Sequence, residues 1–338
     1  MFVNLNYYWS SQQFNFQTNE NFDYGNICKW KKSSMGKVFL TYNNEEIQDG
    51  YFAQLQRIMA IRSIAKKYKF YYLHSEIVNL MPTQLDTFQS ELEIQKYLKG
   101  MNKKYSYESD SHFSGIEKVI DLMAPTLGKL ILLRIINMFS KNSLLVRITI
   151  PYRIIEKTPD SYKYSINLLN KKSDIYRVDK KLIVIHARRG VAIQHIVPGE
   201  KSVRVLDDIY FLTKIKQIVR ESKSIYNLII LTDAPESDIY YKPLDKDKKE
   251  WAQFDSYKGG SGILIQGHKF EIILEYFEGN CKIIRGGDID KAIDIIRTAG
   301  YFVMSRSSMS FVGALLNTEG EIYSPPNFWH KPLRKWIN

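Results

Sequence analysis

The residues best suited to chemistry in this chain follow a short apolar run at residues 182–185. His186, Arg188 and Arg189 come directly after that run, and Gly190 closes the cluster. A branched apolar run of this length is typical of a buried strand. Guanidinium groups at the end of a buried strand are costly unless an anion balances them. Because a planar guanidinium matches phosphate oxygens two at a time, these residues predict a diphosphate clamp.

A second candidate lies in the loop at residues 304–317. Three serines, Ser307, Ser308 and Ser310, stand between a predicted strand and a predicted helix. Backbone N–H groups at the start of a helix, together with hydroxyls, can cradle phosphate oxygens. The same serines could simply cap the helix, and the residues by themselves leave both roles open. Their position on the same predicted sheet as the two arginines favours the phosphate role.

Other titratable residues give weaker signals. Asp233 ends a predicted strand, where its carboxylate could accept hydrogen bonds from a ribose or a base, or could cap the following loop. Glu200 and His195 follow the arginines along the chain and could act as a general base, with Glu200 the first candidate and His195 the alternative. The six histidines show no metal-ligand spacing, so we expect no metal site. No P-loop, dinucleotide-binding or serine-hydrolase motif is found.

The net charge of the chain limits the classes of molecule that it is expected to bind. The chain has 338 residues and a formal net charge of +12, which favours phosphorylated small molecules, anionic membranes or nucleic acid. Its lysines form scattered pairs rather than one stripe, which argues against nucleic acid. The first residues lack the pattern of a signal peptide, and we expect a cytoplasmic protein, with a possible place at the inner face of a membrane. The basic and aromatic segment 330–336 is one candidate for that membrane contact.

The elements that would position these residues alternate between strands and helices. Strands at 37–42 and 70–74 flank a helix that begins near residue 55, and Gly50 and Gln54 lie at the loop between strand and helix. Residues 84–142 are predicted to be mostly helical, and 143–155 to be a strand interrupted by Pro151. From residue 181 the alternation indicates a Rossmann-like parallel sheet. We therefore expect an α/β protein of two domains facing a cleft, an N-terminal one at 1–175 and a C-terminal one at 176–338 that carries both candidate phosphate-binding loops.

These residues resemble motifs of the α-1,2-fucosyltransferase family and the wider group of GDP-fucose-dependent glycosyltransferases. Residues 186–190 match its HxRRG motif, with Val191 where that family has an acidic residue. Asp294 followed by residues 306–317, RSSMSFVGALLN, matches the family's acidic helix and serine loop. Gly50 and Gln54 are what remains of its GGLGNQ loop. The resemblance covers residues 181–330 well and the first half poorly.

The resemblance implies a GT-B fold and an inverting, metal-independent transfer from a GDP-sugar, with GDP-fucose as the expected donor and no other cofactor. The acceptor would be a glycan hydroxyl, as in surface polysaccharide synthesis, and the first half would select it. Arg188 would hold the β-phosphate, and Arg189 would support the site or contact the donor. The remaining substrate-binding residues implied are His186, Asp233, Asp294, Ser307, Ser308, Gly50 and Gln54, with Arg188 and Glu200 catalytic.

Two alternatives stay open at this stage. The same fold could carry a transferase for a different nucleotide-activated donor, which activity with a non-guanine donor would favour. A basic module that binds polyanions without catalysis is the other alternative. Salt-sensitive binding to nucleic acid without nucleotide preference would favour that second alternative.

Overall fold

Strands and helices alternate in the first half of the chain, and the four strands there form one parallel sheet in the order β2-β1-β4-β3. The elements are β1 (Val38–Tyr42), α1 (Tyr51–Lys67), β2 (Tyr71–Tyr72), α2 (Glu91–Tyr105), β3 (Ile116–Leu122), α3 (Leu127–Met138), β4 (Ser143–Ile148), α4 (Tyr152–Ile155) and α5 (Lys163–Lys171). The computed structural model describes residues 36–45, 49–78, 91–105, 116–155, 162–171, 176–189, 205–222, 226–233, 239–243, 252–253, 262–266, 270–277, 280–286, 288–330, 332–333 and 336–337.

Two predictions for the first half were wrong in detail. Residues 84–142 contain the strand β3, whose side chains are partly exposed at the sheet edge, so its apolar pattern is weak. The strand predicted at 143–155 ends at Ile148, and the short helix α4 follows Pro151. Proline lacks an N–H group and cannot continue a strand ladder, although its carbonyl accepts the N–H groups of Ile154 and Ile155.

The second half builds a five-stranded parallel sheet in the order β10-β6-β5-β11-β12. A separate antiparallel sheet in the order β8-β7-β9 includes residues 262–266, which the sequence predicts as a strand of the parallel sheet. The elements are β5 (Asp179–Ala187), α6 (Asp208–Ser222), β6 (Asn227–Thr232), β7 (Ile239–Pro243), β8 (Ala252–Gln253), β9 (Gly262–Gln266), α7 (Glu271–Phe277), β10 (Cys281–Arg285), α8 (Ile289–Thr298), β11 (Ala299–Val303), α9 (Ser308–Leu316) and β12 (Glu321–Tyr323).

Apolar side chains cover both faces of the central strand β5. Ile183 and Ile185 pack in one buried cluster with Phe211 of α6, whereas Val184 belongs to a second cluster that also contains residues of α1, α8 and α9. A strand buried on both faces is apolar without alternation, which is why residues 182–185 stand out in the sequence. The predicted α/β class with two parallel, Rossmann-like sheets is confirmed. The strands of the first sheet precede residue 175 and those of the second follow it, and the domain boundary itself stays a prediction.

Within the described ranges, every helix is too short or too polar to cross a lipid bilayer.

Candidate active site

The carboxyl ends of three neighbouring strands bring the predicted site residues together. Strand β5 pairs with β6, so that Ala187 lies opposite Thr232, and on its other side it pairs with β11, so that Ile185 lies opposite Val303. Because all three strands are parallel, the loops that follow them leave the same edge of the sheet. Arg188, Asp233 and the serine loop therefore meet at this edge, which we call the phosphate edge.

Arg189 is enclosed by the protein. Its side chain is 1% exposed, and its Nη2 lies 2.6 Å from Oδ1 of Asp208, the first residue of α6. Its guanidinium carbon lies 5.6 Å from the ring centroid of Phe211 and 5.7 Å from that of Phe270. Burial lowers the pKa of Arg189, and the charge of Asp208 opposes that shift. An internal carboxylate thus balances this guanidinium, and the geometry favours the supporting role over direct contact with a donor.

Arg188 is the half-buried member of the pair and directly follows β5. Its positive charge acts on His186, since it contributes to lowering the pKa of that imidazole. A guanidinium remains protonated at any physiological pH. Arg188 therefore supplies a permanent positive charge at the phosphate edge.

His186 links the strand to the serine loop. Its Nδ1 atom lies 2.6 Å from Oγ of Ser310 and 3.4 Å from Oγ of Ser305. The pKa of His186 is lowered to about 4, chiefly by burial; Asp233 raises it and Arg188 lowers it. The imidazole is therefore neutral at pH 7 and adds no charge to the clamp, contrary to the basic cluster of three that the sequence suggests.

The three serines of the loop have different surroundings. Ser307 is the N-cap of α9, where its Oγ accepts the N–H of Met309 at 3.2 Å. The Oγ of Ser310 accepts the N–H of Ser305 at 3.1 Å as well as contacting His186. Ser308 is the first residue of α9 and is half-buried. The capping role left open by the sequence therefore applies to Ser307, and phosphate binding by Ser307 and Ser308 stays a prediction.

Asp233 ties two loops of the phosphate edge together. Its Oδ1 accepts the backbone N–H of Arg189 at 2.6 Å, while the residue itself is exposed. Next to it, Oγ1 of Thr232 donates to the carbonyl of Ala187 at 2.6 Å. Asp233 thus fixes the backbone between the two arginines, and a contact from it to a nucleotide stays a prediction.

Asp294 lies on α8, beyond its first turn, and contacts residues that precede β5. Its Oδ1 accepts a hydrogen bond from the hydroxyl of Tyr176 at 2.9 Å and lies 3.5 Å from Nζ of Lys104. On the same helix, Asp290 accepts the hydroxyl of Tyr105 at 3.2 Å. These contacts join α8 to α2, and a role of Asp294 in nucleotide binding stays a prediction.

Gly50 and Gln54 lie at the corresponding carboxyl edge of the first sheet. Gly50 precedes α1 with a φ of −63°, a conformation open to any residue. The Nε2 of Gln54 donates to the carbonyls of Asp49 at 3.0 Å and Val78 at 2.7 Å, and its buried Oε1 has no hydrogen-bond partner among the described residues. Gln54 therefore holds the loop before α1 in place, and its contact with substrate stays a prediction.

Sequence reasoning missed Arg57, a buried arginine on α1. It forms an ion pair with Asp49, donates to the hydroxyl of Tyr42 at 3.3 Å and hydrogen bonds the hydroxyl of Tyr152. The signal that could have indicated Arg57 is its position within α1, because residues that are buried in the structure precede and follow it along most of that helix. An arginine on so apolar a helix needs internal partners.

His330 and Trp336, two aromatic residues of segment 330–336, are buried, whereas its basic residues 331, 334 and 335 lie outside the described residues. His330 is 4% exposed, and its ring centroid lies 5.0 Å from that of Phe311 and 4.6 Å from that of Tyr152. Trp336 is also buried, 5.3 Å from the ring of Phe311. Burial, together with the charge of Arg57, lowers the pKa of His330 to about 3. These aromatic side chains face the protein interior and are not available to a bilayer.

The predicted base Glu200, its alternative His195, and Gly190 and Val191 lie outside the described residues.

No protein-family model matches this chain, and no curated protein matches it. Among solved structures, POFUT1 in complex with GDP is 12% identical, with a TM-score of 0.41, over 86% of this chain and 98% of that chain. The E. coli heptosyltransferase WaaC with ADP is 7% identical, with a TM-score of 0.36, over 89% of this chain and 92% of that chain. The E. coli ADP-heptose lps heptosyltransferase II is 11% identical, with a TM-score of 0.34, over 87% of each chain. Two of these three structures are heptosyltransferases by name, and one was solved with GDP.

Proposed function

We propose that this chain is a GT-B glycosyltransferase that moves a sugar from a nucleoside-diphosphate sugar to a hydroxyl group of a glycan. The observation that carries the proposal is the contact between His186 and Ser310. It joins β5, which Arg188 directly follows, to the helix that begins at Ser308. A permanent cation and the N-terminus of a helix therefore belong to one edge of one sheet, an arrangement suited to a diphosphate.

The proposed chemistry depends on charge that develops during transfer. As the bond between sugar and diphosphate breaks, negative charge grows on the departing phosphate, and groups fixed beforehand stabilise it. A charge pair about 4 Å apart contributes roughly 4 kcal/mol at an effective dielectric constant of about 20, before desolvation. Arg188 is the proposed positive charge of that pair. The neighbouring Arg189 is held in place by two contacts, from its backbone N–H to Asp233 and from its guanidinium to Asp208. Loss of the Arg188 guanidinium is expected to slow transfer by several factors of ten.

The donor we propose is GDP-fucose, on the resemblance of residues 186–190 and 306–317 to the α-1,2-fucosyltransferase motifs. The transfer would be inverting and independent of metal. Ser308 and the first-turn N–H groups of α9 would contact phosphate, and Asp233 and Asp294 would contact the nucleoside. Glu200 would accept the proton of the acceptor hydroxyl. The acceptor would be a glycan such as a surface polysaccharide, selected by the first half of the chain.

The test is thermal stabilisation by a panel of nucleotides, namely GDP, UDP, CMP, dTDP and ADP, each with and without magnesium. The proteins are the natural chain, Arg188→Ala and the matched control Arg220→Ala, which removes an exposed arginine near the end of α6. We expect GDP to raise Tm of the natural chain and of the control without magnesium, and Arg188→Ala to lose that shift. Release of GDP from GDP-fucose in the presence of acceptor glycans follows as the activity assay.

Each other outcome has a defined meaning. Stabilisation by a diphosphate other than GDP would keep the transferase proposal and replace the donor. A requirement for magnesium would remove metal independence. If no nucleotide raises Tm, or if Arg188→Ala responds like the natural chain, the proposed site is wrong.

A further inference from the structure

Helix α3 carries an apolar face that the described part of the chain leaves exposed. Its residues recur at spacings of three and four, the period that places side chains on one side of a helix. The face is formed by Ile131 (42% exposed), Ile135 (48%), Met138 (40%) and Phe139 (86%), with Ile136 (59%) beside it. A contiguous exposed apolar patch of this kind is uncommon on a soluble protein and marks a surface that contacts something else.

The opposite side of α3 is anchored to the first sheet. Leu130 is fully buried, and Nδ2 of Asn137 donates to the carbonyl of Lys37 at 3.3 Å. Thr126 caps the N-terminus, where its Oγ1 accepts the N–H of Lys129 at 3.4 Å. The helix therefore already has a core-facing side, and the exposed isoleucines are additional to what the fold requires.

The charged residues on α3 and directly after it are all basic. Lys129 and Arg134 stand on α3 at either border of the apolar face, and Lys141 follows it. All three are exposed, and Arg134 also donates from Nη1 to the carbonyl of Tyr68 at 2.8 Å. The sequence contains no acidic residue from Leu122 to Val146. An apolar face between basic residues is complementary to a surface that has an apolar interior and anionic groups on its outside.

We infer that the exposed face of α3 docks on the surface of an anionic phospholipid bilayer. An amphipathic helix lies in the plane of such a surface, with its apolar side at the boundary of headgroups and acyl chains and its basic residues among the phosphates. The 12-residue helix is too short to cross the bilayer, so the contact is peripheral. This inference does not depend on the proposed sugar transfer.

Docking through α3 leaves the carboxyl edge of the first sheet accessible. The helix follows the carboxyl end of β3 and returns to the amino end of β4, and the two strands are parallel. Phe139, at the end of α3, therefore lies toward the amino edge of the sheet, away from Arg57 and the loop before α1. Substitutions at Phe139 are expected to leave nucleotide binding unchanged.

The experiment is co-sedimentation of the full chain with vesicles of phosphatidylcholine alone and of phosphatidylcholine mixed with phosphatidylglycerol, at low and at high salt. The variant Ile135→Asp/Phe139→Asp removes the apolar contact, and Lys129→Gln/Lys141→Gln removes two charges. Ile209→Asp is the matched control, since Ile209 is 68% exposed on α6 and lies outside the patch. The Tm of each variant, and its response to GDP, shows whether the variant is folded.

We expect the natural chain and Ile209→Asp to bind the anionic vesicles, and less so at high salt. The aspartate variant should lose at least about tenfold in partitioning, because a phenylalanine leaves an apolar environment. The glutamine variant should lose about fivefold for each lysine. Equal partitioning of the aspartate variant and the natural chain would overturn the proposal, as would absence of vesicle binding. A concentration-dependent dimer that the aspartate variant abolishes, without vesicle binding, would assign the face to a second copy.

Discussion

Nδ1 of His186 lies 2.6 Å from Oγ of Ser310, although the two residues are 124 positions apart in the chain. The contact is buried and joins the end of β5 to the first turn of α9. The Oγ of Ser310 also accepts the backbone N–H of Ser305 at 3.1 Å and lies 3.2 Å from Oγ of Ser305. The neutral imidazole that burial favours can donate to this hydroxyl or accept from it, depending on its tautomer.

Ser310→Ala should destabilise the protein. The substitution leaves Nδ1 of His186 and the N–H of Ser305 buried without this partner, which costs about 1–3 kcal/mol in the free energy of unfolding. Urea unfolding followed by circular dichroism measures the change. Ser308→Ala is the matched control, and we expect it to stay within about 0.5 kcal/mol of the natural chain. Equal stability of the two variants would contradict a structural role for this hydrogen bond.

Substitutions of Arg188 and Arg189 should have different effects: we expect the first to weaken GDP binding and the second to lower the free energy of unfolding. Arg189→Met leaves the partly exposed Asp208 without this partner, and losing a charged hydrogen bond of this kind costs about 1–3 kcal/mol in the free energy of unfolding. Arg188→Ala should weaken GDP binding, measured by calorimetry, and should lower the free energy of unfolding less than Arg189→Met does, because Arg188 is half-buried whereas Arg189 is enclosed. A reversed pattern, in which Arg188→Ala destabilises and Arg189→Met folds normally, would show that the two roles are misassigned.

Acidification should destabilise the protein in part through His330. Its pKa is about 3 in the folded protein and about 6.5 when unfolded, so the unfolded state binds the proton first. The stability that depends on neutral His330 is complete above about pH 6.5 and is lost as the pH falls toward 3. His330→Phe keeps the aromatic packing and removes the titration. We expect its urea midpoint to fall less steeply between pH 7 and pH 4 than that of the natural chain, and an unchanged slope would refute this assignment.

Arg57 and Asp49 should act as one unit in the first half of the chain. Arg57→Met leaves the Asp49 carboxylate and the Tyr42 hydroxyl without this donor, and we expect a loss of about 1–3 kcal/mol in the free energy of unfolding. Adding Asp49→Asn should cost less than the sum of the single changes, which a double-mutant cycle measures. Because the cluster belongs to the first sheet, stabilisation by GDP should persist while transfer to an acceptor falls. Strict additivity would contradict the coupling.

Local pattern was enough to predict the strands and helices that carry the phosphate edge. Residues 182–185 are apolar without alternation because β5 is buried on both faces, and the helix predicted after residue 288 is α8. The local hydrophobic pattern did not predict β3, whose side chains are only partly buried. It also did not predict that the short strand at residues 262–266 belongs to a different sheet. Pairing between strands depends on contacts distant in the chain, which periodicity does not encode.

The sequence by itself determined which residue types stand at the carboxyl ends of the strands, since strand order along the chain and the basic and serine-rich loops are local properties. Only the tertiary structure decided what each side chain does there. Arg188 and Arg189 are neighbours of the same type. Asp208 and two aromatic rings enclose Arg189, whereas Arg188 is half-buried. Similarly, His330 lies in a basic segment but is buried between Phe311 and Tyr152. Burial and partners arise from residues far apart in the chain, and they fix the charge and availability of each group.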